Sequence, residues 1–404
     1  MPRLRNRRGW ILALVLLVVG VLVSLGLAPR LWSRGPVRDP QRLGWLHAAW
    51  NAFEARRYDQ AQAILDRRAA VVAPTPLDWM LRARIAEAQG RPAEALDHLR
   101  RIPDSDPIAA QAWLKAGQIE LARHQARAAE AAYRHALALN PDQIQAHREL
   151  AYLYILQRRK AECDVEFRAL DRIKPLDEVL AFAWCQNFCR LWNSLEALPV
   201  LIRFVATDPD DRWSRLALAA SYELINRLDE AESALGPLPD SDPDARALRI
   251  LIAFDRGQIG VAAELARGGP AEHTQLNVCR GRLALQGPDP RQAAAFFRAA
   301  LRQDPEDRDA LQGLGLALRK LGDARAEQYL RLAFRQDDLK RTLQGATTTL
   351  QSDPRLFSRL GEICMLLDRR EEARAWYRLA IGRDPLDTRA QQDLIRLENR
   401  SRAD

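Results

Sequence analysis

The chain is poor in the residues that carry chemistry. Five cysteines and six histidines are spread over 404 residues. No Cys-x-x-Cys occurs, which excludes a zinc ribbon or a rubredoxin-like centre. His47, His98, His124, His135, His147 and His273 form no His-x-x-x-His pair. Gly313 and Gly315 imitate a dinucleotide loop but lack the third glycine and a preceding strand. A phosphate loop, a nucleophile elbow and a Ser/His/Asp arrangement are likewise missing. The expectation is a non-enzymatic protein with no catalytic residue, no cofactor and no bound metal.

Basic character is also scarcer than the net charge of +8 implies, because residues 1–41 carry +6 and the rest only +2. The basicity belongs to the terminus, so nucleic acid is not the expected partner. Long apolar runs are limited to one. Residues 10–27 hold no charge, and as a helix they would span roughly 27 Å at about 1.5 Å per residue, enough to cross a bilayer. The arginine-rich start and the small Gly26 and Ala28 also fit a cleaved signal, but the run exceeds the usual ~7–15 apolar residues. An uncleaved anchor is the favoured reading. Residues 1–9 form a basic segment, 10–28 a transmembrane helix and 29–41 a juxtamembrane linker. Four arginines before the run, against three after it, place the N-terminus in the cytoplasm and the remainder outside, in a bacterial periplasm.

What is abundant is order at one period. Pro107, Pro141, Pro175, Pro209 and Pro243 recur every 34 residues, the spacing of a helix–turn–helix unit closed by proline. Residues 110–143 show the accompanying pattern: Trp113, Ala116–Gly117, Ala129, Tyr133, Ala136 and Pro141. Gly281, Ala293, Phe297, Ala300 and Pro305 repeat it, as do Leu360, Gly361, Ala373, Tyr377, Ala380 and Pro385. Small residues suit the crossing of two antiparallel helices, and the aromatic fills the space between units. From 178 the pattern decays but keeps Ala197, Phe204 and Pro209.

In these residues the chain resembles the tetratricopeptide repeat (TPR) superfamily, as a membrane-anchored bacterial member. The resemblance implies an all-α, right-handed superhelical solenoid of about ten helix pairs over residues 42–400. Irregular units are expected near 246–273, where a short helix ends at Gly268–Gly269–Pro270, and near 337–353, where an extra helix is plausible. Residues 388–400 read as a capping helix. Cys163 and Cys185 fall at small-residue positions, so packing is their expected role. Cys185 and Cys189 stand one helical turn apart, poor for a mutual disulfide and adequate only for a soft metal.

In such solenoids the first helix of each unit lines a concave groove. The groove candidates here are Trp50, Phe53, Arg84, Gln118, Arg148, Tyr152, Phe182 and Gln186, with Ile155 and Cys189 beside them. Aromatics among spaced arginines suit an extended peptide bearing apolar and acidic residues. Trp50, Phe53 and Ile155 have a plainer alternative, packing between neighbouring helices. The functional expectation is a membrane-tethered scaffold that holds a protein or peptide ligand. The alternative is an assembly factor recruiting envelope polysaccharide, lipid or secretion enzymes to the membrane.

Overall fold

The computed structural model describes residues 40–191, 194–349 and 355–400. The predicted anchor at 10–28 lies outside them. Among the described residues every regular element is a helix, 21 in all, and none is long and apolar enough to cross a membrane. The chain divides into two compact units, Met1–Gly90 and Arg91–Asp404.

The first unit holds α1 (Pro40–Glu54), α2 (Tyr58–Ala69) and α3 (Pro76–Ala88), with α1 and α2 an antiparallel pair. Pro76 opens α3 behind a capping box, in which the Thr75 N–H and hydroxyl both donate to Asp78 Oδ2 at 2.7 and 2.6 Å. Leu46, Ala49 and Ala52 bury against Leu65, Leu81 and Ile85.

The second unit begins with α4 (Pro92–Leu99) and the pairs α5 (Ala109–Ala122) with α6 (Ala126–Leu139) and α7 (Ile144–Leu156) with α8 (Lys160–Ile173). Helices α9 (Glu178–Phe188) and α10 (Ser194–Thr207) follow. Next come α11 (Arg212–Leu224) with α12 (Leu228–Leu235), α13 (Pro243–Asp255) with α14 (Ile259–Arg267), and α15 (Thr274–Gln286) with α16 (Pro290–Gln303). The series closes with α17 (Arg308–Lys320) and α18 (Ala326–Thr349), α19 (Leu356–Leu366) and α20 (Arg370–Arg383), and α21 (Thr388–Arg400). Of the segment expected as an extra helix at 337–351, the described residues 337–349 continue α18, one helix of 24 residues, and the remainder lies outside the described residues.

Two local devices build each pair. The first is the turn. Arg56, Gly90, His124 and Arg158, again 34 residues apart, all have φ between 56° and 73°. In three of these turns the following N–H reaches back five residues, as Arg57 to Ala52, Gln125 to Glu120 and Arg159 to Tyr154. That is a Schellman closure, which satisfies the carbonyls orphaned at a helix end. The second device is the crossing. A Cβ on Gly117 would lie 2.4 Å from the Tyr133 ring, one on Gly281 2.7 Å from Phe297, and one on Gly361 2.6 Å from Tyr377. The glycine of the first helix is the seat of the aromatic on the second.

Pro243 departs from the proline rule. It is the first residue of α13, behind Asp242, whose carboxylate accepts from the Asp244 and Ala245 N–H groups. Proline suits this place, since its missing donor is not needed there.

Stacking is not uniform along the second unit, against the expectation of one unbroken series. Apolar residues of α9, including Trp184, Cys185 and Phe188, share a core with Leu339 and Leu343 of α18 and Leu360, Trp376 and Tyr377 of α19 and α20. Those of α10, Leu198, Leu201 and Phe204, belong to a second core with α11, α12 and α13. The chain passes from the first core to the second between α9 and α10, and Ala126 of α6 with Leu153 and Leu156 of α7 also join the second. The cause is composition: α9 carries large apolar side chains on several faces, and burying them against the C-terminal pairs removes more apolar surface from water than one neighbour provides.

Candidate binding faces

In the first unit three expected residues come together. The rings of Trp50 and Phe53, one turn apart on α1, have centroids 6.1 Å apart. The Arg84 guanidinium lies over both, at 4.9 and 5.2 Å. Tyr58 extends the cluster, 5.7 Å from Phe53. All three residues are half-buried. Arg84 has no ion-pair partner among the described residues, so its N–H fork keeps its bonding capacity while the ring faces hold its charge in place.

In the second unit α5 and α7 form a separate face. Gln118 Nε2 donates to Glu149 Oε1 at 3.2 Å, and Gln145 Nε2 donates to the same oxygen at 2.8 Å. This bridge spends Gln118 on holding α5 against α7. Arg148 and Tyr152, one turn apart on α7, project beside it, and Tyr152 is 45% exposed. Burial of its hydroxyl, with Glu149 close by, raises the phenol's pKa, so it stays a neutral donor. Ile155 packs against the core, which is the plainer of its two expected roles.

Phe182, another groove candidate, is half-buried on α9. Its ring meets Trp376 edge-on at 4.9 Å, and Phe357 at 6.4 Å. The C-terminal pairs of the same chain supply part of its packing, and the ring keeps partial exposure. Cys189 packs on the same core, and burial pushes its thiol pKa up. Gln186 is half-buried on the helix that carries both.

Behind Phe182 lies an arrangement that no local spacing announced. Cys185 Sγ is 3.9 Å from Cys364 Sγ, across 179 residues of chain. Trp376 Nε1 donates to Cys185 Sγ at 3.0 Å. Both thiols are fully buried. Beside them Arg369 donates through Nε and Nη2 to the two oxygens of Glu372. It also reaches Glu306 at 2.7 Å and Asp164 at 3.0 Å, and lies 3.9 Å from the centre of the Phe188 ring. Cys185, Cys364 and Glu372 have ligand-type atoms within 4.8 Å of one another. Arg369 engages both carboxylate oxygens, however, so the third ligand of that group is already committed. The sequence singled out Cys185 with Cys189. The true neighbour of Cys185 lies in a helix 179 residues further on, and only folding back reveals it.

A basic recess of about 420 Å³ sits on the same seam, where Arg168 and Arg172 of α8 face Arg374 and Arg378 of α20. Asp171 and Glu371 temper it, and burial raises the Asp171 carboxyl pKa.

Family models described as tetratricopeptide repeat match residues 46–110, 280–339 and 354–385. Cellulose synthase operon protein C of Xanthomonas axonopodis pv. citri (strain 306) is 27% identical over 243 residues. That alignment covers 55% of this chain and only 16% of the relative. Among solved structures, a tetratricopeptide repeat protein from Parabacteroides merdae ATCC 43184 is 17% identical, with TM-score 0.32, covering 60% of this chain and 98% of that one. The C-terminal part of a TPR repeat-containing protein from Cytophaga hutchinsonii is 13% identical, with TM-score 0.32, covering 67% of this chain and 99% of that one. Repeat period, paired helices, glycine–aromatic crossings and family models agree that the chain carries tetratricopeptide repeats, matched at residues 46–110, 280–339 and 354–385.

Proposed function

We propose that this chain is a non-enzymatic scaffold, tethered to the bacterial inner membrane by residues 10–28, that binds a protein or peptide ligand. In this reading the N-terminus is cytoplasmic and the repeats are periplasmic. The observation that carries the binding role is Arg84, stacked on Trp50 and Phe53 with its donors uncommitted. A guanidinium held on two half-buried rings suits an acidic side chain flanked by an apolar one. Arg148 with exposed Tyr152 offers the same chemistry on the second unit.

Full-length protein in detergent, probed with arrays of extended peptides rich in acidic and apolar residues, tests this. Arg84→Ala, and separately Arg148→Ala with Tyr152→Ala, should each weaken binding by at least about tenfold (~1.4 kcal/mol) without shifting thermal unfolding. Binding that survives both changes, or that is lost only together with helicity, rejects the faces. The tether is tested by alkaline carbonate extraction. The full chain should stay with membranes, and a mature N-terminus near Pro29 would establish a cleaved signal instead.

A second reading draws on the partial similarity to cellulose synthase operon protein C: the same faces recruit enzymes of envelope polysaccharide, lipid or secretion systems. Capture of a glycosyltransferase or secretion component, lost in the two variants above, would favour it.

A further inference from the structure

We propose that Cys185 and Cys364 are a paired-thiol modification site, which a disulfide-class oxidant converts into a covalent clasp holding α9 to the C-terminal helix pairs. The two sulfurs already stand in contact at 3.9 Å, so joining them at the ~2.05 Å of a disulfide asks each to move only ~1 Å. The setting favours this product over a metal centre. Both thiols are fully buried, and a disulfide replaces two neutral groups with another neutral group. Glu372, the remaining ligand-type group, has both oxygens bound by Arg369. Cys189 is adjacent in sequence, but one turn along the same helix is poor geometry for a disulfide.

The chemistry is thiol–disulfide exchange. One thiolate attacks the oxidant R–S–S–R, forming a mixed disulfide and releasing R–S⁻. The second thiolate then attacks the protein sulfur of that intermediate and displaces the other R–S⁻. The two cysteine protons end on the two R–SH products, so two thiols are oxidised while one small disulfide is reduced. The Trp376 N–H aimed at Cys185 Sγ supports that sulfur as an acceptor. Exchange occurs when the seam opens or as it first closes, since neither sulfur is open to solvent in the closed fold.

The clasp would fix the contact that covers Phe182, across a loop long enough for a cross-link to constrain the unfolded chain strongly. Full-length protein, purified in detergent with reductant, is refolded in a buffer of oxidised and reduced glutathione, quenched in acid and denatured for thiol counting. Of its five cysteines, three should remain titratable, with a Cys185–Cys364 cross-linked peptide seen by mass spectrometry. Cys189→Ser should still lose two thiols. Cys364→Ser, checked for unchanged helicity, should lose none. Five titratable thiols after refolding, or a bond that uses Cys189, would overturn the proposal. So would zinc chloride shielding both thiols from glutathione, which would mark a metal centre instead.

Discussion

Trp50 and Phe53 on α1 and Phe182 on α9 sit on the first helices of their repeats, all half-buried, and meet different neighbours. In the first unit the two rings stay half-buried beneath Arg84. On α9 the half-buried ring packs against Trp376 and Phe357, side chains that arrive from far along the chain. Repeat position thus decides which way a side chain points but not what it meets. Where more chain folds back, an apolar residue gains partners from the same chain; where an arginine stacks on it, the face keeps polar bonding capacity. The groove of such an array is a shared resource, and here the chain itself takes part of it.

The sharpest way to break this comparison is to truncate one ring on each side. Trp376→Ala removes a side chain with no exposure and should cost about 3–5 kcal/mol, read as the shift in a urea unfolding midpoint. Trp50→Ala should cost well under half of that, because its ring is only half-buried. Equal costs would mean that the two faces do not differ in burial.

A smaller effect sharpens the claim that pair geometry is local and common to every repeat. Gly361→Leu drives a side chain into Tyr377 and should destabilise by about 1–3 kcal/mol, with Gly117→Leu doing the same against Tyr133. Gln125→Ala, at a half-buried turn position whose side chain makes no cap hydrogen bond, should stay near zero.

The smallest effect is electrostatic and separates the second core from the seam. Burial and the neighbouring Asp255 push the Glu223 carboxyl up to about 7. A raised folded-state value means the neutral acid is the stabilised form. Its contribution is complete below the unfolded value near 4.5 and fades as pH rises through about 7. Glu223→Gln, which keeps the neutral form, should therefore be more stable than the parent at pH 8, by on the order of 1 kcal/mol. At pH 4 the two should match. A gain of the same size at both pH values would show that charge is not its source.

Much of the fold was legible in the chain. The spacing of Pro107 through Pro209 located the ends of helix pairs, and Gly117 with Tyr133 or Gly361 with Tyr377 announced how the members of a pair touch. The left-handed turn residues were harder to see, because Arg56, His124 and Arg158 occupy positions where a glycine, as at Gly90, would have signalled the turn. Of the expected binding residues, Arg84 with Trp50 and Phe53 came together as a cluster. Gln118 proved to be spent on Glu149, and Phe182 on the seam.

The period, the pairing of helices and the small-on-large crossings were determined by sequence alone, because each depends on residues within one unit of 34 and on forces that act over a turn or two. The clustering of Cys185 with Cys364, of Arg369 with Asp164 and Glu306, and of Arg168 with Arg374 was decided only by tertiary structure. Those groupings join residues separated by 63 to 206 positions (374 − 168 for the last). No period links such residues. What unites them is the apolar surface of α9, which had to be buried and found its cover at the other end of the chain.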